Sequence, residues 1–317
     1  MKITVLDGHA ANPGDLSWEK FKDFADLTVY DRTRPEDTVA RIGTSDGIFL
    51  NKVLITKEVL DLCPNLKYIG ILATGYNVVD LKACSERNIV VTNIPAYSTE
   101  SVAQHVFSLI LNFTNLVQLH NDSVKNGDWI KSPDFCYWKK PLSQLCEKTI
   151  GIFGFGSIGR KTAEIARAFG MNVQICVHNK NSFTGTEKSV SFSELLSSSD
   201  IITLHAPLTE ETSKIINRKT LSLVKPEAII INTARGGLVD ENDIAQALNE
   251  NKLGGYGTDV LSSEPMSQSC PLLHAKNCVI TPHIAWAPKE TREKLFEIAL
   301  ENLKAFLSGN PINQVNK

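Results

Sequence analysis

Short apolar runs of strand length recur along the chain, separated by segments with helical periodicity. "KITVLD" opens the series, and "LTVYD" (27–31), "GIFL" (47–50), "LKYIGILA" (66–73) and "NIVVTN" (88–93) continue it. Helix starts lie between them, with Thr56 before "KEVLDLC" and Asp80 before "LKACSER". Runs that are apolar on both faces belong to buried strands. Their alternation with helices predicts a parallel sheet covered on both sides. A second series starts at 148 with "KTIGIFGFG". It continues through "NVQICV" (172–177), "DIITLHAP" (200–207), "AIIINTARGG" (228–237), "GGYGTDVL" (254–261) and "CVITPH" (278–283). Residues 99–120 interrupt the rhythm. Val102, Val106, Leu109, Ile110 and Phe113 fall at helical spacing without internal Gly or Pro, which predicts one long connecting helix. The turn-rich, aromatic "NGDWIKSPDFCYWKKPLSQL" follows it. Residues 289–309 form an amphipathic helix closed by Gly309.

Composition narrows the class. The 317 residues, 42% apolar and 21% charged, suffice for two globular domains with a core each. Net charge is −2, and no run of Lys and Arg marks a phosphate-backbone binder, so nucleic acid is not an expected partner. The apolar run at the amino terminus is too short for a signal peptide or a membrane span, and no later run reaches spanning length. Seven scattered cysteines without a CxxC pair point to reduced thiols in a cytoplasm, each packed as a small hydrophobe.

The chemistry begins at "GFGSIG". Gly154, Gly156 and Gly159 have GxGxxG spacing, with the strand "TIGIF" before them and a helical run after. The first glycine makes a tight turn, the second admits a pyrophosphate to the backbone, and the third lets helix and strand pack. The N–H groups of Ser157, Ile158 and Gly159 at the helix start are the anion donors. No GK[ST] follows, which excludes a Walker loop. An acid that would grip a ribose 2′-hydroxyl is missing after the next strand, where His178, Asn179 and Lys180 stand instead. Lys180, with His178, could meet a 2′-phosphate, so NADP is admitted beside NAD.

Three polar residues follow three of the later strands. Arg235 in "NTARGG" suits bidentate capture of a carboxylate. Glu264 lies in "LSSEP", beyond the next strand. His283 in "TPHIAWA" ends the last one, where a core histidine, a metal ligand and a proton donor are all conceivable. The metal reading fails on spacing, because His205 and His274 form no HxH, HxxxH or HExxH pattern. His205 is expected at a strand end beside the cofactor, and His105 as a satisfied structural histidine on the connecting helix.

"LATGYNVVD", "YSTESVAQH", "GFGSIG", "NTARGGLVDE", "GTDVLSSEP" and "TPHIAW", in that order, resemble the D-isomer-specific 2-hydroxyacid dehydrogenases over nearly the whole chain. Within that family, "NIPAYSTESVAQH" and "TPHIAWAPKETREKL", with Trp286, are most similar to glycerate dehydrogenases, also called hydroxypyruvate reductases. The resemblance implies an α/β protein of two domains. A flavodoxin-like substrate domain would comprise residues 1–98 and 285–317, and a Rossmann-type NAD(P) domain residues 99–284. The active site would lie in the cleft between them, and the protein would be a homodimer joined largely through the cofactor domains. His283 would be the proton donor in reduction and the base in oxidation. Glu264 would orient its ring and favour the imidazolium. Arg235 would clamp the substrate carboxylate and polarise the keto oxygen. The backbone at Thr74 and Gly75 would hold the other carboxylate oxygen, with Asn51 and Lys52 at the pocket's border. Ala206, Pro207, Thr212, Thr233 and Ala234 would line the cofactor, and Asp259 would help orient the nicotinamide.

The expected reaction is hydride transfer between NAD(P)H and a small 2-keto acid, hydroxypyruvate or glyoxylate. D-Lactate and phosphoglycerate dehydrogenases are sibling alternatives. The chain ends without the extra regulatory domain that phosphoglycerate dehydrogenases often carry. A dinucleotide-sensing corepressor is the alternative from another class. The intact Arg235, Glu264 and His283 and the lack of a partner-binding tail favour an enzyme.

Overall fold

The computed structural model describes residues 1–177 and 185–316. The chain forms two compact units, Met1–Ser98 with Trp286–Lys317, and Thr99–Ala285. Each is built on a parallel sheet, as the alternation of short apolar runs and helices predicts.

In the first unit, β1 (Lys2–Val5), β2 (Asp26–Val29), β3 (Gly47–Leu50), β4 (Tyr68–Ile71) and β5 (Val90–Thr92) lie in the order β2-β1-β3-β4-β5. Successive strand residues point to opposite faces. Phe49 and Tyr68 therefore pack on one side with Leu295, Phe296, Ala299 and Leu303 of the helix Lys289–Leu307. Ile48, Leu50, Ile69 and Ile71 pack on the other with Leu60 and Cys84. Burying a side chain such as Leu303 fully contributes about 1.5–3 kcal/mol. The chain's last segment guards the β5 edge. Asn316 accepts the Val91 N–H (2.8 Å) and donates to the Ile89 carbonyl (2.7 Å).

In the second unit, β6 (Thr149–Phe153), β7 (Asn172–Cys176), β8 (Lys188–Ser189), β9 (Ile201–Leu204), β10 (Ile229–Asn232), β11 (Gly255–Thr258) and β12 (Cys278–Ile280) lie in the order β12-β11-β10-β9-β6-β7-β8. The strand order reverses beside β6, and an open α/β sheet binds ligands beyond the carboxyl ends of its strands at such a switch point. Val106, Leu109 and Ile110 of the connecting helix cover one face against Ile150, Ile152 and Ile231.

That connecting helix is not continuous. It runs Thr99–Asn115, breaks at Leu116, whose backbone is left-handed (φ 49°), and resumes as Val117–Lys125. Thr114 turns its hydroxyl back to the Ile110 carbonyl, and His120 Nδ1 lies 2.8 Å from the Leu116 carbonyl oxygen. The cysteines also depart from expectation in part. All seven are free, but Cys136 and Cys146 are exposed. Among the described residues, no helix is long and apolar enough to cross a membrane.

Candidate active site

β6 runs directly into the glycine loop. Gly154 takes φ +90°, and a side chain there would meet the Ala206 nitrogen at 2.6 Å. Gly156 caps the helix Ser157–Ala168, and a Cβ on it would point into open space. The first hydrogen bond of that helix runs from the Arg160 N–H to the Gly156 carbonyl. The N–H groups of Ser157, Ile158 and Gly159 precede it and have no intrahelical acceptor. A Cβ on Gly159 would lie 2.4 Å from the Gly154 carbonyl oxygen, so the close packing of helix on turn needs glycine there. The open face over Gly156 and the unpaired donors fit a dinucleotide pyrophosphate. His178 and Lys180 lie outside the described residues.

The next strand ends complete this rim. Ala206 is buried and Pro207 exposed just past β9. The Thr212 hydroxyl donates to the Pro207 carbonyl (2.7 Å) and accepts the Thr209 N–H (2.8 Å), which closes the 207–212 turn. Past β10, Asn232 holds the loop by accepting the Ala234 N–H and donating to the Arg235 carbonyl. His205 Nε2 and Thr233 Oγ1 are buried without a hydrogen-bond partner among the described residues. Two orphaned polar atoms at adjacent strand ends mark a surface that a polar ligand completes. Burial lowers the His205 pKa to about 4, so its imidazole is neutral at pH 7.

Arg235, Glu264 and His283 follow β10, β11 and β12, which are neighbours in the sheet. Glu264 Oε1 accepts the Leu261 N–H (2.9 Å), and Oε2 lies 2.7 Å from His283 Nδ1. The ring's Nδ1 is thereby oriented, which leaves Nε2 to face a substrate. His283 itself has φ +56°, an unusual conformation for a residue with a side chain. Gly236, next to Arg235, lets the loop after β10 approach the segment after β11. A Cβ on it would fall 1.9 Å from the Leu261 carbonyl carbon, so only glycine lets the 232–238 loop lie against the segment that Glu264 caps. The Arg235 guanidinium donates to the Ala234 carbonyl (2.7 Å) and forms no ion pair among the described residues. An exposed guanidinium without an ion pair among the described residues, on a loop packed against the segment that Glu264 caps, can hold an anionic substrate while the imidazole moves a proton.

Asp259 is 1% exposed, and protein donors engage both of its oxygens. Oδ1 accepts from the Thr281 hydroxyl (2.6 Å) and the Ile284 N–H (2.8 Å), and Oδ2 from the Ala285 N–H (2.8 Å). His105 Nε2 reaches Thr281 Oγ1 at 2.9 Å, so the connecting helix enters the network. Sequence reasoning named Asp259 and His105 separately but neither Thr281 nor the network that joins them, because the partners are far apart in the chain.

In the first unit, the Thr74 hydroxyl gives its one proton to the Ile94 carbonyl (2.7 Å), so only its main-chain N–H remains to donate to a ligand. Asn93 donates to the Thr74 carbonyl (2.7 Å), and Asn302 to the Asn93 carbonyl (2.9 Å). These bonds hold the loop that contains Gly75. Asp7, whose pKa burial pushes up, accepts the N–H groups of Asn51 (2.7 Å), Lys52 (2.6 Å) and Val53 (3.3 Å). The Asn51 side chain donates to the Leu72 carbonyl (2.9 Å). Trp286 packs on the first unit's core with Leu295 and Phe296.

Residues 107–285 match the model of the D-isomer specific 2-hydroxyacid dehydrogenase NAD-binding domain. The chain belongs to that family. A hydroxypyruvate reductase of Blautia hydrogenotrophica is 46% identical over the whole of both chains. A glycerate dehydrogenase of Methylorubrum extorquens is 38% identical, over 99% of this chain and 98% of its own. Among solved structures, an acyclic imino acid reductase in complex with NADPH and D-Arg is 34% identical. It covers 99% of this chain and 100% of its own, with a TM-score of 0.87. Family membership makes the chain an NAD(P)-dependent oxidoreductase that acts on the CH–OH group of a 2-hydroxy acid, with NAD(H) or NADP(H) as cofactor.

Proposed function

We propose that this chain reduces hydroxypyruvate or glyoxylate to the corresponding 2-hydroxy acid, with His283 as the proton donor. The observation that carries the assignment of roles is the 2.7 Å contact of His283 Nδ1 with Glu264, with Arg235, which forms no ion pair among the described residues, beyond the neighbouring strand of the same sheet. The nicotinamide supplies the hydride when bound. Arg235 holds the substrate carboxylate and draws charge from the keto oxygen as that oxygen becomes negative. His283 Nε2 delivers a proton to the same oxygen. Glu264 stabilises the positive charge that the ring carries before delivery, and it keeps the ring aimed. The Thr74 and Gly75 main chain takes the second carboxylate oxygen.

In this reading the second unit is the cofactor domain. Gly154, Gly156, Ser157, Ile158 and Gly159 seat the pyrophosphate, and Ala206, Pro207, Thr212, Thr233 and Ala234 line the dinucleotide. The first unit is the substrate domain. We place the protein in the cytoplasm as a homodimer. The relatives named hydroxypyruvate reductase and glycerate dehydrogenase support the substrate assignment. The test follows NADH and NADPH oxidation with hydroxypyruvate, glyoxylate, pyruvate and phosphohydroxypyruvate, each with and without an amine donor. Fastest turnover with hydroxypyruvate or glyoxylate alone is expected. Turnover only when an amine is present would replace the keto-acid reading with imine reduction.

A further inference from the structure

We infer that His105, Thr281 and Asp259 form a positioning relay that fixes His283 for proton transfer, acting on the turn that carries the imidazole. The inference rests on the proposed role of His283 and adds three residues that act on the backbone beside it rather than through its ring.

Donor accounting sets the direction of the relay. Asp259 is buried, and a carboxylate only accepts. The single Thr281 hydroxyl proton goes to Asp259 Oδ1 at 2.6 Å, in preference to the Thr258 carbonyl at 3.4 Å. The Thr281 oxygen then accepts from His105 Nε2 at 2.9 Å, so that nitrogen carries the proton. His105 Nε2 is also 3.6 Å from Asp259 Oδ1. The carboxylate passes the constraint on by accepting the N–H groups of Ile284 and Ala285, the two residues after His283. Thr281 lies two residues before His283, and its carbonyl accepts the His283 N–H at 3.0 Å. Both flanks of the φ +56° residue are therefore tied to one buried carboxylate. A strained conformation persists only where its surroundings over-determine it, and here they do so with charge-assisted bonds.

The chain passes between its two units at Ser98–Thr99 and at Ala285–Trp286. His105 lies on the helix that begins at the first passage, and Asp259 grips the residue that ends at the second. The relay thus joins both passages inside the second unit, next to the proposed proton donor.

Thr281→Val keeps the shape and deletes the hydroxyl, Thr281→Ser restores it, and His105→Phe keeps an aromatic ring without a donor. We expect Thr281→Val and His105→Phe to lower kcat on the order of ten- to a hundredfold. The dissociation constants of NADH and NADPH, read by fluorescence, should stay within about twofold. Thr281→Ser should recover most of the rate. A merely structural role would lower cofactor affinity, kcat and melting temperature together. The second readout is the proton NMR signal of the ring N–H that binds Glu264, assigned by its loss in His283→Asn. It should be present in the wild type and in Thr281→Ser, and lost or exchange-broadened in Thr281→Val and His105→Phe. Unchanged kcat in both variants, equal losses in cofactor affinity and rate, or a persistent ring signal would overturn the relay. Should the wild type turn over no 2-keto acid, the proposed function fails on its own, and the ring signal alone decides the relay.

Discussion

Glu264 divides its oxygens between the Leu261 N–H and the His283 imidazole, and that division makes Glu264→Gln informative. The amide can still accept from Leu261, but its NH2 then faces His283 Nδ1. Only the tautomer with its proton on Nε2 fits that donor, and the positive ring loses its counter-charge. We expect kcat to fall about a hundredfold with little change in cofactor binding, measured by steady-state kinetics and fluorescence titration. His283→Ala removes the proton donor itself and should cost about a thousandfold or more, again without loss of cofactor affinity. Equal losses in both would make His283 structural.

His205 gives a prediction about pH. Its folded pKa of about 4 lies below the ordinary 6.5, so between those values the unfolded chain binds a proton that the folded chain does not. Stability is therefore complete above pH 6.5 and declines as pH falls towards 4, by up to about 3 kcal/mol. The residue retains some exposed surface although Nε2 is buried, which reduces that figure. His205→Gln should flatten this part of the profile, measured as urea midpoints at pH 7 and pH 4.5. A wild-type midpoint that does not fall more than the variant's would contradict it. The trio could be read from sequence because charged residues just after buried strands have no packing role to play. Asp259 was named only through the resemblance, as a residue near the nicotinamide; Thr281 and the bonds that join the two could not be read, since these partners come together only through tertiary contacts. Trp286, informative by resemblance, is a partly buried residue packed against the first unit's core.

At the scale of elements, the strands other than the two-residue β8 were readable, most of them as apolar runs buried on both faces, which leave few other options; Lys188–Ser189 carries no such run. The break at Leu116, where the backbone turns left-handed, was not readable, since no Gly or Pro signals it. Loop conformation was readable only where glycine is obligatory. The "RGG" after β10 suggested an accessible arginine, and the structure adds that Gly236 sets how closely two strand-end loops approach. Gly236→Ala tests this. Its Cβ would sit 1.9 Å from backbone that no rotamer change can clear, so the loops must part. We expect a loss of at least about 2 kcal/mol in stability. The rise in KM for the keto acid should exceed any change in cofactor affinity, because Arg235 moves with the loop. Gly237→Ala is the control. Its nearest neighbour is a Leu208 side-chain carbon at 2.8 Å, which can rotate away. Comparable losses in both variants would mean that the close approach at Gly236 is not what positions Arg235.

At the scale of the whole molecule, the segment after the connecting helix is the part that a single chain leaves unexplained. Ile130 and Phe135 are each 89% exposed, Trp138 (64%) and Trp129 (51%) add to the same stretch, and Val117 (70%) stands at the start of the helix that leads into it. A soluble monomer seldom gathers so much large apolar surface in one place, and such patches mark protein interfaces. Aromatic side chains of this size bury roughly 150–250 Å² each when covered, enough for a few of them to dominate an association. The segment belongs to the second unit, which agrees with the proposed homodimer joined through the cofactor domain. Light scattering during size exclusion should therefore give twice the 34.9 kDa of one chain at micromolar concentration. Ile130→Ser with Phe135→Ser should shift the mass to that of one chain. Neither side chain packs on its own core, so the monomer's fold should survive, checked by circular dichroism. Its effect on turnover then separates a dimer needed for catalysis from one that only covers apolar surface. A wild-type protein that runs as a single chain at these concentrations would refute the homodimer.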